Sequence, residues 1–107
     1  MDAITSGTWI VEQYFENTTN ISAEFLHYDF QFYRNSTVTG TQSGVTTNGT
    51  WTGDMSNSSI TAEFPAAGDP LKKLNGLWKI TDSYWDYVEA EMKTNIGKNI
   101  LHLRKKS

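Results

Sequence analysis

From Leu26 to Phe32 apolar and polar side chains alternate, Leu26-His27-Tyr28-Asp29-Phe30-Gln31-Phe32. Successive side chains of an extended chain point to opposite faces, so this period puts Leu26, Tyr28, Phe30 and Phe32 on one side and His27, Asp29 and Gln31 on the other. A segment of that kind is a strand with one buried face and one wet face. The same period governs most of the chain, and apolar spacing of the helical kind is nearly absent. The fold expected from it is all-β, with one face of each strand turned to a shared core.

About eight strands follow from this pattern, at the spacing common in sandwiches and barrels. Trp9 to Phe15 is the first, with Trp9, Val11 and Phe15 expected inward. Leu26 to Phe32 is the second. Ser36 to Thr41 is the third, rich in threonines whose β-branching favours extended backbone and suits a wet outer face. Asn48 to Met55 aims Trp51 inward, and Ser58 to Phe64 aims Ile60, Ala62 and Phe64 inward, with the polar link Met55 to Ser59 as a hairpin turn. Leu77 to Thr81 carries Trp78 and Ile80, Tyr87 to Met92 carries Val88, Ala90 and Met92, and Asn99 to Arg104 carries Leu101 and Leu103. All links except two are short enough for hairpins, so an antiparallel meander in chain order is expected.

The two longer links break the alternation. Glu16 to Glu24 is polar and long for a hairpin, as a loop over one end of the sheet would be. Pro65 to Gly76 contains Asp69-Pro70-Leu71-Lys72-Lys73-Leu74-Asn75-Gly76. Asp69 suits an N-cap, Pro70 a first helical position and Gly76 a helix end, so a short helical turn is expected near residues 70–75. Leu71 and Leu74 would then share its core side. A glycine also stands two residues before a tryptophan in Gly7-Thr8-Trp9, Gly49-Thr50-Trp51 and Gly76-Leu77-Trp78. Glycine permits a tight turn and the ring then plugs an end of the core.

Length and composition bound the size of that core. The 107 residues make one domain, 1–107. Surface scaling gives a folded area of about 6,000 Å² against about 17,500 Å² for the open chain, enough burial for one thin core. With 37% hydrophobic and 13% aromatic residues, large rings must supply much of the apolar area. No cysteine is present, which removes disulfides, thiolate metal sites and cysteine nucleophiles. A net charge of -3 argues against a dedicated nucleic-acid binder. No apolar run is long enough to span a bilayer as a helix. Residues Met1 to Ser6 show no basic, apolar and small-residue succession of an export signal. Five Asn-X-Ser/Thr triplets, at Asn17, Asn20, Asn35, Asn48 and Asn57, reflect a composition rich in those residues.

At the level of motifs the chain resembles a known family. Its early Gly7-Thr8-Trp9 strand and central Gly49-Thr50-Trp51 strand are two of the features. A Pro70-Leu71-Lys72-Lys73-Leu74-Asn75 turn runs into Trp78-Lys79-Ile80, and Leu101-His102-Leu103-Arg104-Lys105 closes the chain. Together they are similar to the small lipocalin-like, calycin-type domains of bacterial exported lipoproteins, over about Ser6 to Lys106. The resemblance implies an up-and-down antiparallel barrel, a noncatalytic, lipid-binding role and an exported location, periplasmic or at the cell surface. Such domains follow a signal peptide and a lipid-modified cysteine, and this sequence contains neither.

The side-chain repertoire fits that reading. His27 and His102 are the only imidazoles, both at positions facing away from the core. Neither joins a triad, a metal-ligand spacing or a cofactor motif, so no catalytic residue, metal or cofactor is expected. Glu89 and Glu91 are expected opposite His102 and Arg104 as ordinary cross-strand charge pairs. Trp9, Tyr28, Phe30, Phe32, Trp51 and Trp78 all point into the barrel, where they either fill it or line a pocket for a small apolar molecule. Tyr84-Trp85-Asp86-Tyr87 cannot bury all its rings by alternation. Tyr84 and Trp85 are therefore candidates for a surface that binds glycan or protein. A monomer without nucleic-acid partners is expected.

Overall fold

The computed structural model describes residues 2–54, 56–65, 67–68 and 71–106. Nine strands form a single sheet in which every pairing is antiparallel: β1 (Trp9–Glu16), β2 (Thr19–Asn20), β3 (Asp29–Phe32), β4 (Thr37–Gln42), β5 (Val45–Asp54), β6 (Ser59–Glu63), β7 (Gly76–Tyr84), β8 (Tyr87–Thr94) and β9 (Gly97–Lys105). From β3 to β9 the strands pair in chain order. β9 then pairs along β1, from Trp9↔Lys105 to Glu16↔Asn99, and β1 meets β3 at Trp9↔Phe30. The result is a closed eight-strand meander barrel, with the two-residue β2 appended to the edge of β1. The meander and the barrel are those expected from the alternation and the short links. Helical structure among the described residues is limited to 3-10 turns at Asp2–Thr5, Ser22–Phe25 and Leu71–Leu74. The last of these lies where a short turn is expected; the proposed cap at Asp69 and Pro70 falls outside the described residues.

Two inward assignments differ from the alternation. In β1 the inward residues are Trp9, Val11 and Tyr14, not Phe15. The ladder with β9 slips between Val11 and Gln13, so one extra residue moves the strand onto the other phase. Leu26 is 59% exposed, because the chain leaves the 3-10 turn at Ser22–Phe25 through His27, whose φ of 70° ends any extended run there. Alternation begins in earnest only at Asp29. Elsewhere it holds: Phe30, Phe32, Val38, Trp51, Ile60, Ala62, Phe64, Trp78, Val88, Ala90, Leu101 and Leu103 form the core.

Both ends of the barrel are closed by rings and turns. At one end Trp9 is fully buried and its indole N–H donates to the carbonyl of Ile4, 3.0 Å away, which fixes the first 3-10 turn over the opening. Trp51 at the same end donates to the carbonyl of Tyr33 at 2.9 Å and so holds the β3–β4 connection. At the other end Ile21, Phe25, Leu71 and Leu74 cover the core from the two long links. Tyr14 stacks on Phe25 with ring centroids 5.2 Å apart, and its hydroxyl donates to the carbonyl of Lys73 at 2.6 Å. The Lys73 ammonium lies 3.6 Å from Glu16 and 3.4 Å from Glu24, so the two links are tied to each other as well as to the barrel. A loop over one end at Glu16 to Glu24 and core-facing Leu71 and Leu74 are expected from the sequence, whereas the Tyr14–Lys73 bond that fastens the two links together has no sequence signature.

Candidate functional site

The barrel interior is one of two candidate binding sites. Trp9, Phe30, Phe32, Trp51 and Trp78 are all buried, and Tyr28 is half-buried just before β3, its ring stacked 5.9 Å from that of Phe30. Space remains for little else. The internal cavity measures about 40 Å³ and is bounded by apolar side chains, among them Phe30, Phe32, Leu74 and Trp78. An apolar void of about 150 Å³ is what takes a benzene-sized guest, and this one is several times smaller. Trp9 and Trp51 do not border this void; they plug the end. Trp78 borders it, and its indole N–H is committed to the carbonyl of Leu74 at 2.9 Å.

One polar cluster enters the core. Tyr14, beyond its bond to Lys73, accepts from the Asn99 amide at 3.3 Å, and Asn99 in turn accepts from the backbone N–H of Asn17 at 3.3 Å. Burial, aided by the charge of Glu16, pushes the Tyr14 phenol up to about 12. With the Lys73 carbonyl and the Asn99 amide both bonded to it, the phenol fastens the lid to the barrel.

The outer wall carries the titratable groups as cross-strand pairs. His102 lies 3.9 Å from Glu89, as expected for directly opposed residues. Glu91 pairs with Lys98 at 3.2 Å; it does not face Arg104 as expected, because the register sets Ile100 opposite Glu91 and Tyr87 opposite Arg104, and Arg104 bonds instead to Glu12 on β1. Lys106 reaches Asp29 at 3.0 Å. Among the described residues no group of His, Asp and Glu is placed to hold a metal ion.

The second place is the β7–β8 hairpin. Tyr84 pairs with Tyr87, which leaves Trp85 and Asp86 as a two-residue tip. Neighbouring rings at a tip cannot share the inward face, and both Tyr84 (66%) and Trp85 (59%) stand in solvent. The Tyr84 centroid is 6.4 Å from those of Trp85 and Tyr87. The patch is braced from behind. The Lys105 backbone N–H donates to the Asp86 carbonyl at 2.8 Å, and its ammonium sits 5.3 Å from the Trp9 ring centroid and 5.6 Å from that of Trp85. A cation between two indoles ties the exposed ring to a buried plug. Tyr87 donates to Asp82 at 3.0 Å, and that bond raises its phenol's pKa. The sequence singled out Tyr84 and Trp85; the brace by Lys105 has no sequence signature.

No protein-family model matches the chain, and no curated protein matches it. Among solved structures it is similar to the crystal structure of a DUF4847 family protein from Bacteroides vulgatus ATCC 8482, with a TM-score of 0.66. The alignment covers 99% of this chain and 98% of that one at 14% identity, so the likeness is one of fold.

Proposed function

We propose that the chain is a noncatalytic binding module that acts through its outer surface, with the Tyr84–Trp85 hairpin tip as a glycan-binding platform. The observation that supports it is the exposure of Trp85 on a tip braced by Lys105, set against an interior void of about 40 Å³. Aromatic faces stack on the apolar face of a sugar ring, and Asp82, Asp86 and the Tyr87 hydroxyl stand close by to meet its hydroxyls. The patch is a few rings at a two-residue tip, whereas a stable protein interface needs about 800 Å² from each side. No cofactor, metal or catalytic residue is part of this reading. The module is proposed to act as a monomer and, from the resemblance to exported lipoprotein domains, outside the cytoplasm.

The test is a titration of the isotope-labelled protein with neutral oligosaccharides, following the Trp85 indole resonance. Saturable movement of that resonance, lost in Trp85→Ala with the fold intact, is the expected result. Binding to a protein partner with no response to any sugar would overturn the glycan assignment. A small apolar ligand inside the barrel is the second reading, favoured by the wholly apolar lining of the void between Phe30, Phe32 and Trp78. Such a ligand must displace Leu74 or a ring to enter.

A further inference from the structure

We infer that the outer wall carries a second site, a groove between β7 and β8 that takes a fatty carboxylate. The strand pairing creates the groove. Gly76 to Lys79 pair with β6, and registered pairing of β7 with β8 starts at Lys79↔Glu91 and runs toward the Trp85 tip. Met92, Lys93 and Thr94 at the end of β8 pair with β9. The two strands therefore part beyond Lys79 and Glu91. The groove there is open to solvent, has a volume of about 530 Å³ and is lined by Leu77, Lys79, Glu91, Met92 and Lys93. That volume falls within the roughly 300–1,000 Å³ of small-molecule sites, which the interior void does not approach.

Its walls have two chemistries. Leu77, 57% exposed, presents an aliphatic side chain to the groove. Met92, half-buried and packed against the core, borders the groove with a flexible thioether that adapts to a chain of methylenes. Gly76, whose φ of 124° favours glycine, leaves room for the Met92 sulfur, since a Cβ there would stand 2.7 Å away. The charges on the rim are unequal. Glu91 is satisfied by Lys98 at 3.2 Å. Lys79 and Lys93 have neither an ion pair nor a side-chain hydrogen bond among the described residues. In a chain of net charge -3, two unmatched ammonium groups over an apolar wall select a single anionic head on an apolar tail. The carboxylate would sit between Lys79 and Lys93 and the tail against Leu77 and Met92.

Dodecanoate below its micelle concentration is the probe, with amide and indole shifts of the labelled full chain as the readout. Dodecanol and dodecyltrimethylammonium carry the same tail with no charge and with the opposite charge. Saturable shifts confined to Leu77, Lys79, Glu91, Met92 and Lys93 are expected. Affinity should fall about tenfold or more for dodecanol and for the Lys79→Gln, Lys93→Gln double variant, the loss expected of charge-assisted bonds. Leu77→Ser should weaken binding while leaving the indole pattern unchanged, since all three side chains are exposed. Equal binding of dodecanol, indifference to the lysine changes, or shifts at Trp9 and Trp78 in place of the groove would each overturn the site. So would binding to phosphatidylglycerol vesicles without binding of free dodecanoate. Trp85→Ala should leave dodecanoate binding intact, which separates this site from the hairpin tip.

Discussion

Trp51 closes the barrel with its ring and holds the β3–β4 connection with its indole N–H, so its loss removes both packing and a bond. Trp51→Ala is expected to cost about 3–5 kcal/mol in urea unfolding, as other large-to-small core changes do. Trp85→Ala, at the exposed tip, should stay within about 0.5 kcal/mol of the parent. Tyr14 makes a prediction in pH. Its phenol is pushed up from 10.0 to about 12, chiefly by burial, so the folded chain keeps a proton that the unfolded chain releases. Its contribution is whole below pH 10 and is lost as the pH rises through about 12. The difference in stability between the parent and Tyr14→Phe should therefore shrink across that window in alkaline melts. Near neutrality the Phe variant should be less stable by about 1–2 kcal/mol, because the Lys73 carbonyl and the Asn99 amide lose their partner.

At the scale of elements, strand pairing sets which small residues are obligatory. Gly49 on β5 lies against β6, where a Cβ would run into the Glu63 carbonyl and stand 2.8 Å from the Phe64 ring. Gly49→Ala should cost about 1–3 kcal/mol by overpacking. Gly68, with open space around its Cβ position, should accept alanine within about 0.5 kcal/mol. Thermal melts of the two variants check the contrast. Strands such as β6, β8 and β9 were legible because a half-buried strand writes its period directly into side-chain polarity. The first strand was legible only to Val11. A bulge moves the phase by one residue and leaves no residue type behind to announce it, so Tyr14 reads as outward and Phe15 as inward. The alternation of Leu26 and Tyr28 with Phe30 is continuous in sequence, yet the left-handed His27 breaks it in space. Exposure of Tyr84 and Trp85 could be read because neighbours on a hairpin cannot both point inward. The groove beside Leu77 could not, since it arises where β7 exchanges one partner strand for another.

For the whole molecule, closure and filling go together. An eight-strand barrel has an interior wide enough for side chains, and here rings from β1, β3, β5 and β7 occupy it while turns seal both ends. Its accessible surface of 6384 Å² lies near the value expected for a compact chain of this mass. Outside the packed interior, the features that stand out are the aromatic tip and the parted strands. The four tryptophans divide between these regions, with Trp9, Trp51 and Trp78 inside and Trp85 in solvent. Their indole N–H resonances therefore report on the interior and the surface separately. The most direct measurement is a titration of the labelled protein with a series of neutral apolar probes, from benzene to dodecanol, reading those four resonances. The expected result is no saturable shift of Trp9, Trp51 or Trp78 at any concentration that leaves the protein folded. Saturable shifts of Trp78 together with the methyl groups of Leu74 and Leu101 would place a ligand inside the barrel and contradict a packed interior.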